Sequence, residues 1–314
     1  MTSFFSIISS RQYLRLLGVI FLASLFSHCT YKKYPSIQFN DAPAFYDKTS
    51  EPPTIQASSA FLVHYPSMSI VYQKNAEQKR PIASLQKLLT ALIVDNHDRL
   101  QQKTTLKKED FKDYDPQSIK LKPHESYTRE QVMKMLLISS NNIAANTLAR
   151  VHSGSTRAFV KEMNRLALEL GMINSNFKNP HGLTTTNQYS TAIDATKMAI
   201  YAYKKPFIAS LCSQPESLLY DKKQQTLYNT NALVKQVSIT KDYRCVGLKT
   251  GYTKASGYCL SLVITNDKET FFLTILNSTR SQIYNDARKL FKHVVNASYF
   301  HYPLTTSTTH SFIN

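Results

Sequence analysis

The sequence predicts an α+β fold: an antiparallel five-stranded sheet closed by both ends of the chain, with a helical subdomain inserted between them. Three observations predict it. Two short apolar runs bounded by turn residues stand near residue 60, and three more follow one another after residue 245. The stretch between them carries the spacing of amphipathic helices. One further helical stretch follows the last run and can close over the sheet. With 42% hydrophobic and 19% charged residues in 314, the chain can build a sizeable core, which excludes wholesale disorder. No run of about 20 apolar residues follows the N-terminal region, which excludes a multi-span membrane protein.

Each element has its own signal. Ala60–Tyr65 and Ser69–Lys74 read as strands joined by the turn Pro66-Ser67-Met68. Ser84–Val94 reads as a buried helix, because Leu85, Leu88, Leu89, Leu92 and Ile93 lie nearly all round it. Thr128-Arg129-Glu130-Gln131 is a capping-box pattern that opens a helix carrying Val132, Leu136 and Leu137. A second helix covers roughly residues 143–151. Gly154-Ser155 breaks the chain, and Ser155 can cap a helix with Phe159, Met163, Leu166 and Leu170 on one face, which Gly171 ends. Thr191 to Asp194 is another capped start. Val246–Tyr252, Tyr258–Thr265 and Thr270–Asn277 then read as consecutive strands. Ser281–Asn296 is the closing helix, with Ile283, Ala287, Leu290 and Val294 in register.

The ends of the chain differ from this domain, which is expected at residues 58–298. Arg11 and Arg15 precede an apolar run from Leu16 to Phe26 that is too short to span a membrane as an ordinary helix, so residues 1–28 read as an export signal. Leu25-Phe26-Ser27-His28-Cys29 resembles a bacterial lipoprotein processing site, which makes Cys29 a lipidation candidate; His28 departs from the small residue usual there. The alternatives are an uncleaved anchor and a simple secretory signal. The proline-bearing residues 29–57 read as a tether, with a reach of about 90 Å at most. Residues 299–314, Ser/Thr-rich at their end, read as a flexible tail. An exported, envelope-located and membrane-anchored protein is expected.

Lys and Arg number 38 against 21 Asp and Glu, a net charge of +17. That balance suits solubility or an anionic neighbour such as phospholipid or an acidic wall polymer. The chain has no dense basic block, zinc-finger pattern or RNP pattern, which argues against nucleic acid. Cys212, Cys245 and Cys259 are an odd number, so they form no disulfide framework, although one pair stays open. The nine histidines are scattered and no His/Cys cluster has ligand spacing, so neither a metal nor another cofactor is expected.

The scarcest residue points to the chemistry. Of seven glycines, Gly247, Gly251 and Gly257 fall within eleven residues, and a glycine inside a strand marks a bulge or a close backbone approach. That window contains Lys249-Thr250-Gly251. Upstream, Ser84-Leu85-Gln86-Lys87 is an S-x-x-K whose serine and lysine share a helix face, with the serine at the positive end of the helix. Alone it means little, since Ser175–Lys178 and Ser238–Lys241 match equally well. Between the two motifs lies Ser139-Ser140-Asn141-Asn142, which contains S-x-N in two registers. The three motifs in this order are far more specific than any one of them.

On these residues the sequence resembles the serine-type D-alanyl-D-alanine carboxypeptidases, the low-molecular-mass penicillin-binding proteins, from about residue 57 to residue 297. Further phrases carry the resemblance: Asn179-Pro180-His181-Gly182-Leu183, Tyr189-Ser190-Thr191-Ala192 with Asp194, Asn229-Thr230-Asn231, and Ser256-Gly257-Tyr258-Cys259. Gln86, Ile143 and His124 depart from the residues usual in the family. The resemblance implies a penicillin-binding/β-lactamase-like transpeptidase fold, and it favours the register Ser140/Asn142. It implies that Ser84 attacks the carbonyl between two D-alanines of a peptidoglycan stem and that β-lactam antibiotics acylate the same serine. Lys87 would be the base, made neutral by burial and by the nearby cation Lys249. Ser140 would relay a proton, and Asn142 would hold the substrate amide and orient Lys87. The backbone of Ser84 and Tyr252 would form the oxyanion hole. Lys249 and Thr250 would grip the terminal carboxylate, and Gly251 would let the peptide lie along the strand edge.

The alternatives are a D,D-endopeptidase of cross-links, a class A β-lactamase and a non-catalytic envelope-binding protein. The β-lactamase needs a water-activating glutamate, and Glu162 and Glu169 read instead as a solvated helix face. His181 reads as a turn residue, and Tyr189, Ser190 and Asp194 as helix-entry structure. Cys245 and Cys259 read as packing residues or a strand-to-strand bridge. The oligomeric state is not legible.

Overall fold

A computed structural model describes residues 34–41, 51–95, 99–113, 119–219, 224–236 and 243–296. The signal, Cys29 and the tail 299–314 lie outside the described residues. The chain divides into units 1–35 and 36–314, and all the secondary-structure elements belong to the second. That unit opens with β1 (Ser59–Tyr65), β2 (Ser69–Lys74) and a 3-10 turn, Ala83–Gln86, that runs into α1 (Lys87–Val94). The inserted block holds β3 (Lys103–Thr105), a 3-10 segment (Lys108–Asp113), β4 (Ser126–Thr128), α2 (Arg129–Leu137), α3 (Asn142–Ser153) and α4 (Thr156–Glu169). It continues with α5 (Ala192–Tyr203), α6 (Pro206–Ser213), β5 (Glu216–Leu219), β6 (Gln225–Tyr228) and a 3-10 turn, Ala232–Lys235. Then β7 (Arg244–Thr253), β8 (Gly257–Thr265), β9 (Thr270–Ser278) and α7 (Ile283–Asn296) complete the unit.

The five long strands form one antiparallel sheet in the order β2-β1-β9-β8-β7, so the chain's first and last strands meet at its centre, as expected. Both faces are covered. Ala60, Leu62, Leu260, Leu262, Phe271, Leu273 and Ile275 pack under Ile283, Leu290, Phe291 and Val294 of α7. The opposite face meets α5, where Thr196 donates to Thr274 Oγ1 at 2.8 Å. Double burial explains why β8 and β9 are apolar almost without interruption. α1 is buried along nearly its whole length among α2, α3, α4 and α5.

The caps read from the sequence are in place. Thr128 and Gln131 exchange both capping-box bonds, Ser155 accepts from Ala158 N–H, and Thr191 accepts from Asp194 N–H. Asn40, Gln56 and Ala57 of the 29–57 stretch are bonded to the domain. Asn40 bridges to Ser69, and the buried Asp286 carboxylate accepts the N–H groups of Gln56 and Ala57 at 3.1 and 2.9 Å.

Some local readings need correction. Ser84–Val94 is not one helix: its first turn is 3-10, and the α-helix starts at Lys87. The two-stranded sheets β3–β4 and β5–β6 and the eight-residue α6 were not expected, because three- and four-residue strands and two-turn helices carry too few residues to show a period. Cys212, Cys245 and Cys259 are buried free thiols, which settles for packing against a bridge. Burial holds their pKa values at about 12, 11 and 11, so they stay protonated.

Candidate active site

The 3-10 turn gives the S-x-x-K spacing its use. At three residues per turn, side chains at i and i+3 eclipse one another. Lys87 Nζ accordingly lies 2.8 Å from Ser84 Oγ. It also donates to Asn142 Oδ1 and to the His181 carbonyl, each at 2.8 Å. Lys87 is wholly buried, while Ser84 is half-exposed. The Asn142 amide is oriented by its own Nδ2, which donates to the Asp113 carbonyl at 3.2 Å and so leaves Oδ1 facing the amine. Three elements far apart in sequence thus aim acceptors at one nitrogen.

The backbone before Ser84 is held in a vice. Ala83 takes a left-handed φ of +48°. A Cβ on Gly251 of β7 would lie 2.7 Å from Ser84 N, 2.9 Å from Ala83 Cβ and 3.1 Å from Ile82 O. On the other side, a Cβ on Gly182 would fall onto the Ala83 carbonyl and lie 2.8 Å from Ser84 N. This corrects the reason expected for Gly251: what a side chain there would meet is the Ser84 turn itself. The other two clustered glycines serve elsewhere, Gly247 against the Cys212 carbonyl and Gly257 against Asn277 and Ser278.

Lys249 and Thr250 converge on a residue of the Asn229-Thr230-Asn231 phrase. Thr250 Oγ1 donates to Thr230 Oγ1 at 2.7 Å, and Lys249 Nζ reaches the same oxygen at 3.5 Å and the Thr250 carbonyl at 3.1 Å. Thr230 is itself tied to the end of α2, its N–H donating to the Ile138 carbonyl at 3.2 Å. Lys249 is 1% exposed and has no carboxylate partner among the described residues. Burial therefore lowers its pKa to about 8. Tyr252 is exposed and stacks on Tyr258 with ring centroids 4.4 Å apart, forming an aromatic rim at the end of β7.

Not every named residue joins this network. Ser140, with φ +60°, turns the chain between α2 and α3, and its hydroxyl makes no hydrogen bond among the described residues. Ser139 bonds the Met135 carbonyl and Asn141 caps α3. Glu162 pairs with Ser153 and His152, and Glu169 with Arg165. Asp194 accepts from Asn174 N–H and Ser175 at the entry to α5. Of the departures, Gln86 ties the turn to Asn179, Ile143 is buried, and His124 adopts the left-handed φ (+72°) natural to a glycine. Sequence reasoning missed Asp113 and the His181 carbonyl. No motif marks a lone aspartate, and a backbone acceptor carries no sequence signature.

Comparison with known proteins bears on the same residues. The family described as peptidase S11, D-alanyl-D-alanine carboxypeptidase, matches residues 46–279. The chain is 34% identical over 212 residues to D-alanyl-D-alanine carboxypeptidase DacF of Bacillus subtilis (strain 168), which covers 66% of this chain and 53% of that relative, about half its length. It is 32% identical over 225 residues to a D-alanyl-D-alanine endopeptidase of Escherichia coli (strain K12), covering 70% and 71%. The solved DD-transpeptidase of Streptomyces K15 superposes with a TM-score of 0.71 at 27% identity, over 78% of this chain and 98% of that one.

Proposed function

Since the chain belongs to the D-alanyl-D-alanine carboxypeptidase family, with the penicillin-binding-protein fold, we propose that it removes the terminal D-alanine from peptidoglycan stem pentapeptides through an acyl-enzyme on Ser84. The observation that carries this reading is the Lys87 amine, 2.8 Å from the Ser84 hydroxyl and fixed by two further acceptors. In the neutral amine, two N–H bonds stay on Asn142 and His181, and the lone pair faces Ser84. Ser84 attacks the carbonyl between two D-alanines, and its proton passes to Lys87. The N–H groups of Ser84 and Tyr252 receive the developing oxyanion. The proton held by Lys87 passes to the leaving amine with Ser140 as relay, and water then releases the acyl group and restores the Ser84 hydroxyl. A β-lactam acylates the same oxygen.

Treatment with penicillin is expected to add one drug mass to the intact protein, and peptide mapping should place it on Ser84. An unmodified Ser84 would remove the reading. Relatives named endopeptidase favour a second one, cleavage of D,D cross-links. Free D-alanine from a pentapeptide stem, with a cross-linked dimer left whole, decides for the carboxypeptidase.

Lys249 and Thr250 grip the leaving residue's carboxylate in this scheme. The ammonium form of Lys249 is present below about pH 8 and lost above it, because burial has lowered its pKa. kcat/KM for a stem peptide is therefore expected to fall as pH rises through about 8. A substrate whose terminal carboxylate is replaced by an amide should lack that alkaline limb; an identical limb for both would remove Lys249 from the carboxylate site.

The N-terminal pattern supports export and retention at the cell envelope, with Cys29 or the signal segment as anchor. Among the described residues no helix is long and apolar enough to cross a membrane. The +17 charge suits a surface rich in acidic lipid or wall polymer.

A further inference from the structure

The 3-10 segment Lys108–Asp113 belongs to none of the motifs, yet it ends beside the Lys87 amine's acceptors. We propose that Asp113 is a positioning residue for Lys87, acting through both the His181 turn and the Asn142 side chain. The inference rests on the reading of Ser84 and Lys87 as the acylating pair.

The connections are explicit. Asp113 Oδ2 accepts from His181 Nε2 at 3.0 Å and from Asn146 Nδ2 at 3.1 Å. The Asp113 carbonyl accepts from Asn142 Nδ2 at 3.2 Å. His181 Nδ1 accepts the Leu183 N–H at 3.2 Å, so the neutral ring carries its proton on Nε2, pointed at the carboxylate. With both ring nitrogens engaged and the ring only 3% exposed, the turn that presents the His181 carbonyl to Lys87 cannot swing. Two of the acceptors around the amine are therefore oriented by one residue.

Asp113 is itself well anchored. The buried Asp110 takes both Arg150 Nε and Nη2, at 2.9 and 2.7 Å, and the Lys107 N–H at 2.8 Å. Asn146 clamps the Asp110 carbonyl at 3.1 Å. The His181 hydrogen bond holds the Asp113 carboxyl at a pKa of about 2, so it stays ionised. The titratable groups facing His181 are Asp113 and Lys112 on this segment and Lys87 on α1. Burial lowers the His181 pKa, the Asp113 hydrogen bond opposes that, and the charge of Lys112 adds to the lowering. The ring is thereby kept in its neutral form near neutrality.

The test measures the saturating acylation rate and the dissociation constant for penicillin, by mass, in the full chain. Asp113→Ala removes the carboxylate but keeps the backbone carbonyl. It is expected to lower the rate about 30-fold, since a displacement of about 1 Å in a reacting group costs on the order of 100-fold. The dissociation constant should not change, because a positioning residue acts through Lys87 and not on the ligand. Asp113→Asn can still accept from His181 and Asn146 and should recover to within about threefold. A purely structural role would lower the melting temperature and the labelled fraction, not the rate of the molecules that label. In parallel, nitrogen NMR of His181 should show the proton on Nε2. An Asp113→Ala rate within about threefold of wild type, an Asp113→Asn rate as low as Asp113→Ala, or a proton on Nδ1 would each overturn the inference while leaving the Ser84 reading intact. A wild type that takes no penicillin overturns the acylating pair, and the inference with it.

Discussion

Lys87→Met is expected to slow penicillin acylation of Ser84 by about a thousandfold or more while leaving the protein folded. Methionine keeps an unbranched stem, shorter by the one terminal atom, and loses the nitrogen that sits 2.8 Å from the hydroxyl. Without a base the serine must shed its proton to solvent in the transition state, and a positioned base is worth about 10²–10⁴ in rate. Two opposing effects decide the stability. Asn142 Oδ1 and the His181 carbonyl lose their donor, and an orphaned buried acceptor costs about 1–3 kcal/mol. Against this, a wholly buried amine no longer has to be taken out of water. The melting temperature should therefore move by only a few degrees. The check is the time course of the penicillin adduct by intact mass beside a thermal unfolding curve. A variant that labels at the wild-type rate would show that the proton leaves Ser84 by another route.

Much of this arrangement is legible in the sequence, for identifiable reasons. The capping box at Thr128 and the caps at Ser155 and Thr191 depend on contacts within four residues, so they are written locally. The five long strands and α7 are legible because each spans enough residues to show a period or an unbroken apolar run. The 3-10 form of the Ser84 turn is not. S-x-x-K places serine and lysine together on either kind of helix, and what selects the tighter turn is tertiary: the glycines on either side of Ala83 come from residues 182 and 251.

The same division runs through the site. Ser84, Lys87, Lys249 and Thr250 are legible as motifs, because their chemistry needs those side chains at short spacings. The register Ser140/Asn142 needs the wider family resemblance, and Asn142 is the asparagine that lies 2.8 Å from Lys87, while Asn141 caps a helix. His181 reads as a turn residue and does occupy a turn. Its bond to Lys87, however, comes from the carbonyl, which any residue could supply. Thr230 sits in a phrase that resembles the family without announcing a task, and only the fold brings its hydroxyl to Thr250 and Lys249. The partners illegible in sequence are thus backbone groups and residues delivered by long-range packing.

Gly251→Ala carries the other large expected effect, and it separates positioning from chemistry. The added methyl reaches no reacting atom and changes no charge. It would stand 2.7 Å from Ser84 N and 2.9 Å from Ala83 Cβ, closer than a real Cβ is found, and a tight 3.1 Å from Ile82 O. None of these is the end of a flexible side chain, so the relief must come from the turn moving away from β7 or from β7 bending outward. The turn has little room, since Gly182 closes on the Ala83 carbonyl from the other side and Ala83 already holds a left-handed φ. Overpacking of this kind costs about 1–3 kcal/mol. Either movement also separates the Ser84 N–H from the β7 backbone, the two sources assigned to the oxyanion hole. Losing one such donor costs about 10²–10³ in rate. Acylation by penicillin should accordingly fall by about 100-fold or more in a protein that still folds and keeps the Lys87–Ser84 contact. Gly182→Ala presses on the same turn from the opposite side and should act in the same direction. Near wild-type acylation in Gly251→Ala would mean that Ser84 tolerates displacement from β7, and the oxyanion donors would then have to be sought elsewhere.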